Sequence, residues 1–409
     1  MAKGLVANGV SVTVVAGVPH YPDGKVPSEY RWKPLAVENQ RGLRVIRTFL
    51  PPLPSKGFGR RLIMFMCFMF TSFFAYPFVR KADAVFASNP QTLVAFPGSV
   101  YARLVGGVLV LNVDDLWPES LYDLGMLKSG TGHLVGDLVA RTAYSLVDCI
   151  TPISSGYVET LTEKYSIARS KIEVIPGGVD MRLFDGWNKE RDSETFQVLY
   201  VGAFSKAYDF DQVLHAAADL AVHPEIRFVF QGAGEMSAHL KSVVKSMGLT
   251  NVLVSDNVVP RKEAASMMMS SDVLIVPLAG TGNIEKGFSS KIYEYQAAGR
   301  PIICCSRGVA GIYVAATRSG FVVEPGDYKA VAKAVLFLYS HKAEAIRLGT
   351  RGRGVVQQNY TMEAVGRSLI TLIEALNRKF KVRKILVRQT AQGVTEPDPL
   401  TPSLWPGSV

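Results

Sequence analysis

Short, almost wholly apolar runs recur along this chain: Ser11–Val15, Ala84–Ala87, Leu109–Val113 and Cys149–Pro152, then Gln197–Val201, Arg227–Phe230, Val252–Val254, Val273–Val276 and Pro301–Cys305. They lack a regular polar alternation and read as strands covered on both faces, the signature of a parallel sheet flanked by helices. Helical patterns such as Asp211–Ala221 and Ala330–Leu338 alternate with them. Between the two series lie Pro176–Asp180 and the polar stretch Gly186–Glu194, a natural hinge. The chain therefore reads as α/β, with two Rossmann-like doubly wound parallel-sheet domains at 1–175 and 176–360. A helix over 361–380 is expected to pack back toward the first domain, ahead of a disordered tail at 381–409. At 409 residues, 48% hydrophobic, the chain is too long for one ordinary domain and can bury two cores.

The net charge of +10 and a pI near 9.3 favour anionic partners, whether sugar nucleotides, anionic lipid or nucleic acid. No aromatic-basic module supports the last of these, so no nucleic-acid partner is expected. Cys67, Cys149, Cys304 and Cys305 have no metal-ligand spacing and read as small core residues in a reducing cytoplasm.

The most informative stretch is Glu285–Pro301. It follows the strand Val273–Pro277 and the glycine-bearing loop Ala279–Asn283, and turns into a helix. In an open α/β sheet this is where a ligand binds, and the helix start favours an anion. Ser289 or Ser290 can cap the helix; Lys291 lies in its first turn and Glu294 one turn on, with Gly299–Pro301 as its stop. A phosphate at the start and ribose hydroxyls on the carboxylate would suit a nucleotide. An ordinary Lys/Glu pair on a surface helix has the same spacing.

The segment Ser290–Pro301 resembles the donor site of family 4 retaining glycosyltransferases, which have the two-domain GT-B fold with the active site in the cleft between domains. Asp115–Ser120, Ile175–Asp180, and Tyr200–Phe204 with Phe230–Glu235 match in the expected order. Asp115-Leu-Trp-Pro-Glu-Ser120 is similar to the branch that builds bacterial surface polysaccharides, such as fucosamine-type amino-deoxysugar transferases. The resemblance implies retaining transfer from a nucleotide diphosphate sugar, uridine-linked, to a lipid-linked or growing surface glycan, without a cofactor. It implies Lys206, Lys291 and Glu294 as catalytic residues. The donor would be bound by Gly202, Gly232, Gly234, Val259, Pro260, Gly287, Phe288, Ser289 and Ser290 together with Lys291 and Glu294. His20, Asp115 and Glu119 would face the acceptor, while Trp117 packs. The pattern departs from the family's Glu-x7-Glu: Glu294 matches the second glutamate, but Lys286 holds the place of the first and Glu285 is one residue out of register. The usual basic pair after the first strand of the second domain is replaced by Ala203 and Tyr208.

Two further segments carry expectations. Asp209-Phe-Asp211 fits an Asp-x-Asp metal motif, but it follows a strand and opens a helix, where aspartate is a common cap, so no metal is expected. The apolar run Leu62–Val79, flanked by Arg60, Arg61, Arg80 and Lys81, reads as a buried core helix, a helix dipping into an anionic membrane surface through 60–81, or, least of all, a span. The second option fits a cytoplasmic enzyme peripheral at the inner face of the plasma membrane and a polyprenyl-linked acceptor. The chain opens on Met1–Gly9, which resembles the end of this fold's first helix. The expected first strand and glycine-rich loop have no counterpart, so they lie upstream, come from another chain, or are lost. A GT-B sugar-nucleotide epimerase and a non-catalytic GT-B partner are the alternative functions.

Overall fold

The structure is a computed structural model and describes residues 1–20, 25–40, 42–53, 58–79, 81–88, 92–123, 130–186 and 195–391. Most of the expected polar hinge, at 187–194, lies outside the described residues, as do Tyr21, Pro22, Arg80 and 392–409. The strands are β1 (Thr13–Gly17), β2 (Leu35–Gln40), β3 (Leu43–Thr48), β4 (Ala84–Ser88), β5 (Val108–Val113), β6 (Cys149–Pro152), β7 (Phe196–Val201), β8 (Ile226–Gly232), β9 (Val252–Asp256), β10 (Val273–Pro277), β11 (Ile302–Cys305) and β12 (Gly320–Val323).

The second domain is one parallel sheet ordered β12-β11-β10-β7-β8-β9. Side chains alternate between its faces, as the period of two requires. Val198 and Tyr200 of β7, Ile275 of β10 and Ile303 and Cys305 of β11 join one core. Leu199, Leu274, Ile302 and Cys304 join the other. The adjacent cysteines therefore point to opposite cores, each fully buried, and burial raises the Cys304 thiol to about 12. The chain winds outward from β7 in one direction and from β10 in the other, so the order reverses between these two strands. A crevice opens there, at the carboxyl ends.

The first domain differs from the expected single sheet. Its strands form two three-stranded sheets, β1-β3-β2 and β4-β5-β6, and β1 and β4 are edges. Apart from the antiparallel β2 the pairings are parallel. Only β5 and β6 are buried at every residue; β1 and β4 remain half-open along most of their length. The β2–β3 hairpin was not expected. It turns at Gly42, whose φ of +82° suits glycine, and is pinned by Arg47 Nε donating to Glu38 Oε1 at 2.6 Å. Strand β12 was likewise not expected.

The apolar run forms a helix, Phe58–Ser72, continued by a 3-10 turn, Phe73–Phe78. A core helix would be covered all round, and this one is not. Met64, Ser72 and Ala75 are buried, while Ile63 (54%), Phe70 (58%) and Phe74 (64%) face outward beside exposed Arg60 and Arg61. The last helix runs Met362–Ala391, past the expected end at 380. It crosses the opening helix Ala2–Ala7 closely: a Cβ on Gly4 would overlap the Met362 carbonyl oxygen, and Leu5, Val365 and Leu369 are buried together.

Candidate active site

The crevice between β7 and β10 is built from the loops that leave β7, β8 and β10. Lys291, the first residue of the helix Lys291–Ala297, lies across it. Its ammonium donates to the Tyr208 hydroxyl at 3.0 Å and stands 4.8 Å from the Tyr208 ring centre and 5.7 Å from that of Tyr200. Gly202 makes this possible, because a Cβ there would overlap Lys291 Cε and its φ is +148°. The helix is tied to β7 by Tyr295, whose buried hydroxyl oxygen accepts from Val201 N–H at 3.0 Å. A cation is thus held over the switch point by two aromatic rings before any ligand arrives.

One turn on, Glu294 Oε1 accepts from Arg261 Nη2 at 2.8 Å. Arg261 opens the helix Arg261–Ser270 directly after half-buried Val259 and exposed Pro260. Neither Tyr208 nor Arg261 was picked out as a site residue in the sequence. For Arg261 the available signal was its place after Val259-Pro260, where a loop passes the same crevice.

The remaining donor-side residues fall into two groups. Lys206 is exposed on the loop after β7, and its backbone N–H donates to Glu235 Oε1 at 3.2 Å, linking the β7 and β8 loops. Gly232 and Gly234 serve that same junction, since a Cβ on either would overlap the Gly202 or Phe204 carbonyl oxygen. Phe288 is buried against Tyr293 at 4.6 Å and Tyr313 at 5.0 Å, so its ring is core. Ser290 precedes the helix without a side-chain cap bond, and Ser289 Oγ lies 3.5 Å from the Tyr208 hydroxyl. Asp209 Oδ1 accepts from Gln212 N–H at 3.2 Å, as a capping residue does, and Asp211 pairs with His239 at 2.8 Å.

The segment ahead of the helix is held by the first domain. Asn283 N–H donates to Asp123 Oδ2 at 2.8 Å and Ser154 Oγ donates to the Lys286 carbonyl at 2.5 Å. Lys286 Nζ donates to Glu159 Oε2 at 3.1 Å and to Thr160 Oγ1 at 3.2 Å. Gly287 N–H donates to Asn283 O at 2.8 Å beside the Tyr157 hydroxyl. Glu285 turns the other way and accepts from Ser306 Oγ at 2.6 Å, Arg307 N–H at 3.2 Å and Gly308 N–H. The lysine in the family's first glutamate position therefore bridges the two domains.

On the first-domain side the three sequence-picked residues separate. His20 is half-buried, its Nδ1 3.0 Å from Val18 O. Asp115 follows β5 and is reached by solvent, yet surrounding protein and the Asp114 charge raise its carboxyl pKa. Asp114, which the sequence reading passed over, is also raised by burial, against hydrogen bonds from Asn112 Nδ2 at 2.8 Å and Ser88 Oγ at 3.3 Å. Glu119 corrects the expectation of an acceptor-facing carboxylate. It is 6% exposed and accepts from Tyr165 Oη at 2.6 Å and Lys164 Nζ at 2.9 Å, inside the domain. Trp117 is buried, as packing requires.

Residues 1–178 match the family described as Glycosyl transferase 4-like domain, and residues 183–355 match Glycosyl transferases group 1. The chain is built from two glycosyltransferase family domains. It is 26% identical over 269 residues to the putative colanic acid biosynthesis glycosyl transferase WcaI of Escherichia coli K12, covering 62% of this chain and 65% of that protein. Sucrose-phosphate synthase from Thermosynechococcus elongatus superposes with a TM-score of 0.71 at 19% identity over 91% of both chains. An E. coli structure described as trehalose-6-phosphate bound with UDP-2-fluoro glucose gives 0.68 at 12% identity, over 89% of this glycosyltransferase chain and 99% of its own. The fold is GT-B: two α/β domains whose sheets are parallel apart from β2, in contact through the segment that carries Asn283 and Lys286.

Proposed function

We propose that this protein is a retaining, metal-independent glycosyltransferase. It moves a hexosyl or N-acetylamino-deoxysugar group from a uridine diphosphate sugar to a polyprenyl-linked or growing surface polysaccharide. The observation that carries the reading is Lys291, held over the switch point by Tyr208 and Tyr200. In the proposed reaction the donor diphosphate lies against Lys291 and Lys206, and Glu294 exchanges Arg261 for the ribose hydroxyls. The bond from sugar to phosphate breaks, the two lysines stabilise the leaving charge, and a phosphate oxygen takes the acceptor proton on the same face. Ser289, Ser290 and Gly287 lie on the loop that approaches the phosphates, while Val259 and Pro260 pass the base. His20 and Asp115 line the acceptor side. Closure of the domains excludes water and limits hydrolysis.

The fucosamine-type branch is supported by Asp115–Ser120, and the uridine donor by the UDP-2-fluoro glucose in a structure of the same fold. A cytoplasmic enzyme peripheral at the membrane is supported by the outward face Ile63, Phe70 and Phe74 with Arg60 and Arg61. The test incubates the protein with a panel of UDP-sugars and polyprenyl-phosphate glycans in anionic vesicles, in excess chelator. Transfer with retained anomeric configuration is expected. Loss of transfer in chelator with recovery on manganese would return Asp209 and Asp211 as metal ligands. Conversion of the sugar nucleotide without an acceptor would establish the epimerase instead. Binding to anionic vesicles should drop when Phe70 and Phe74 become serine, measured by co-sedimentation; unchanged binding would remove the membrane role.

A further inference from the structure

β7 and β10 lie side by side at the middle of the second sheet, yet they pair at only two positions, Val198 with Val273 and Leu199 with Leu274. Both strands run on: β7 pairs with β8 as far as Val201, and β10 with β11 as far as Pro277. Past Leu199 and Leu274 the sheet therefore forks, and buried main-chain groups on the two limbs need other partners. On the β10 limb the loop after β7 supplies them. Pro277 O accepts from Asp209 N–H at 2.8 Å and Ala279 N–H donates to Ala207 O at 3.0 Å, an antiparallel bridge that sets Tyr208 opposite Leu278. On the β7 limb the partner is a side chain. The fully buried Tyr295 hydroxyl accepts from Val201 N–H at 3.0 Å and donates to Val201 O at 3.3 Å, so one O–H serves both main-chain groups of the last residue of β7.

We infer that Tyr295 is a positioning residue: its hydroxyl holds the sheet open at the fork and thereby sets where Lys291 lies. The two residues stand at i and i+4 of the helix Lys291–Ala297 and share a face, so seating Tyr295 in the fork fixes the roll of the helix over the crevice. That roll brings Lys291 against one phenol from each limb, Tyr200 of β7 and Tyr208 of the bridged loop. Gln296 secures another side of the helix, donating to Thr317 Oγ1 at 3.1 Å and Ser319 Oγ at 2.9 Å and accepting from Tyr313 Oη at 3.0 Å. Burial raises the Tyr295 hydroxyl far above the ordinary tyrosine range, so it keeps its proton and its donor role. Phenylalanine would fit the same space but leave Val201 N–H and C=O unmet. The last carbonyls of β10 are already engaged, Val276 O by Leu278 N–H at 3.2 Å and Pro277 O by Asp209. Water must then enter the fork or the helix must turn, and either moves Lys291 off the rings. The consequence for a diphosphate rests on the transferase reading, whereas the fork itself does not.

The test compares Tyr295→Phe with the unaltered protein. Amide hydrogen exchange at Val201 should speed at least about ten-fold, while that at Leu199, still in the ladder, stays the same. Labelling with acetic anhydride, read by mass spectrometry, should modify Lys291 several-fold faster, with exposed Lys206 as the unchanged reference. Calorimetry should show UDP weakened about ten-fold and uridine less than about three-fold, and adding Tyr295→Phe to Lys291→Met should cost UDP less than about two-fold more. A loss that uridine shares, or that persists in full beside Lys291→Met, is general damage and would overturn the positioning role. So would unchanged exchange at Val201 or unchanged labelling of Lys291. If the unaltered protein binds no UDP, the donor-site reading falls, and exchange and labelling alone decide the inference. Should Tyr295→Phe not fold, the unaltered protein decides it: Val201 must be protected as firmly as Leu199 and Lys291 must label more slowly than Lys206, and free exchange or equal labelling overturns it.

Discussion

Lys291→Met tests the donor site most directly, because methionine keeps the apolar stem over Gly202 and removes only the ammonium. Two effects separate. Without ligand, the variant loses a charged hydrogen bond to Tyr208 at 3.0 Å and two ring contacts in a half-buried site, roughly 1–2 kcal/mol of stability. With ligand, an ammonium about 4 Å from a phosphate charge, at an effective dielectric near 20, contributes about 4 kcal/mol before the cost of leaving water. Setting about half aside for that cost leaves roughly 2 kcal/mol, or about 30-fold in affinity. Titration calorimetry of UDP and of uridine against both proteins separates charge from general damage. UDP should weaken about 30-fold and uridine less than about 3-fold. A UDP loss matched by uridine, or a loss under about 3-fold, would show that Lys291 does not meet the diphosphate.

Glu294→Ala should weaken UDP by at least about 1 kcal/mol while leaving 2′-deoxy-UDP much less affected; an equal loss for both nucleotides removes the ribose contact. Lys286→Glu restores the family's residue type, yet it would face Glu159 across the domain seam. Small-angle scattering should then show a more open particle and transfer should fall, whereas a gain in transfer would mean that position 286 meets the sugar. Glu119→Gln should cost about 1–3 kcal/mol in urea unfolding by loosening Lys164 and Tyr165, with the KM for UDP-sugar unchanged. A shift in KM without a stability loss would put Glu119 in the cleft.

The second domain was legible in the sequence because its inner strands β7, β10 and β11 are covered on both faces, which leaves nearly unbroken apolar runs such as Val273–Val276. The strands that escaped notice lack that cover. β2 and β3 carry Glu38, Arg44 and Arg47 on a half-open hairpin, and β12 is a four-residue edge that begins with glycine. The apolar run at 62–79 looked like core by composition. Its split into a buried and an outward face depends on which neighbours reach it, and sequence alone does not give those neighbours.

The candidate site follows the same division. Lys291 and Glu294 were readable because helical spacing alone places them in successive turns. Their partners were not, since Tyr208 lies 83 residues from Lys291 and Arg261 lies 33 from Glu294. Three acidic or basic residues near the motifs fared differently for one reason: a charge goes to whichever opposite group the fold brings nearest. Glu119 meets Lys164 and Tyr165, Lys286 meets Glu159, and Glu285 meets the backbone at Arg307 and Gly308. Lys291 escapes this capture because the surfaces around it are two tyrosine rings and a glycine. Aromatic faces hold the ammonium in place without neutralising it. In the proposed reaction that leaves its charge available to the diphosphate, which it meets together with Lys206.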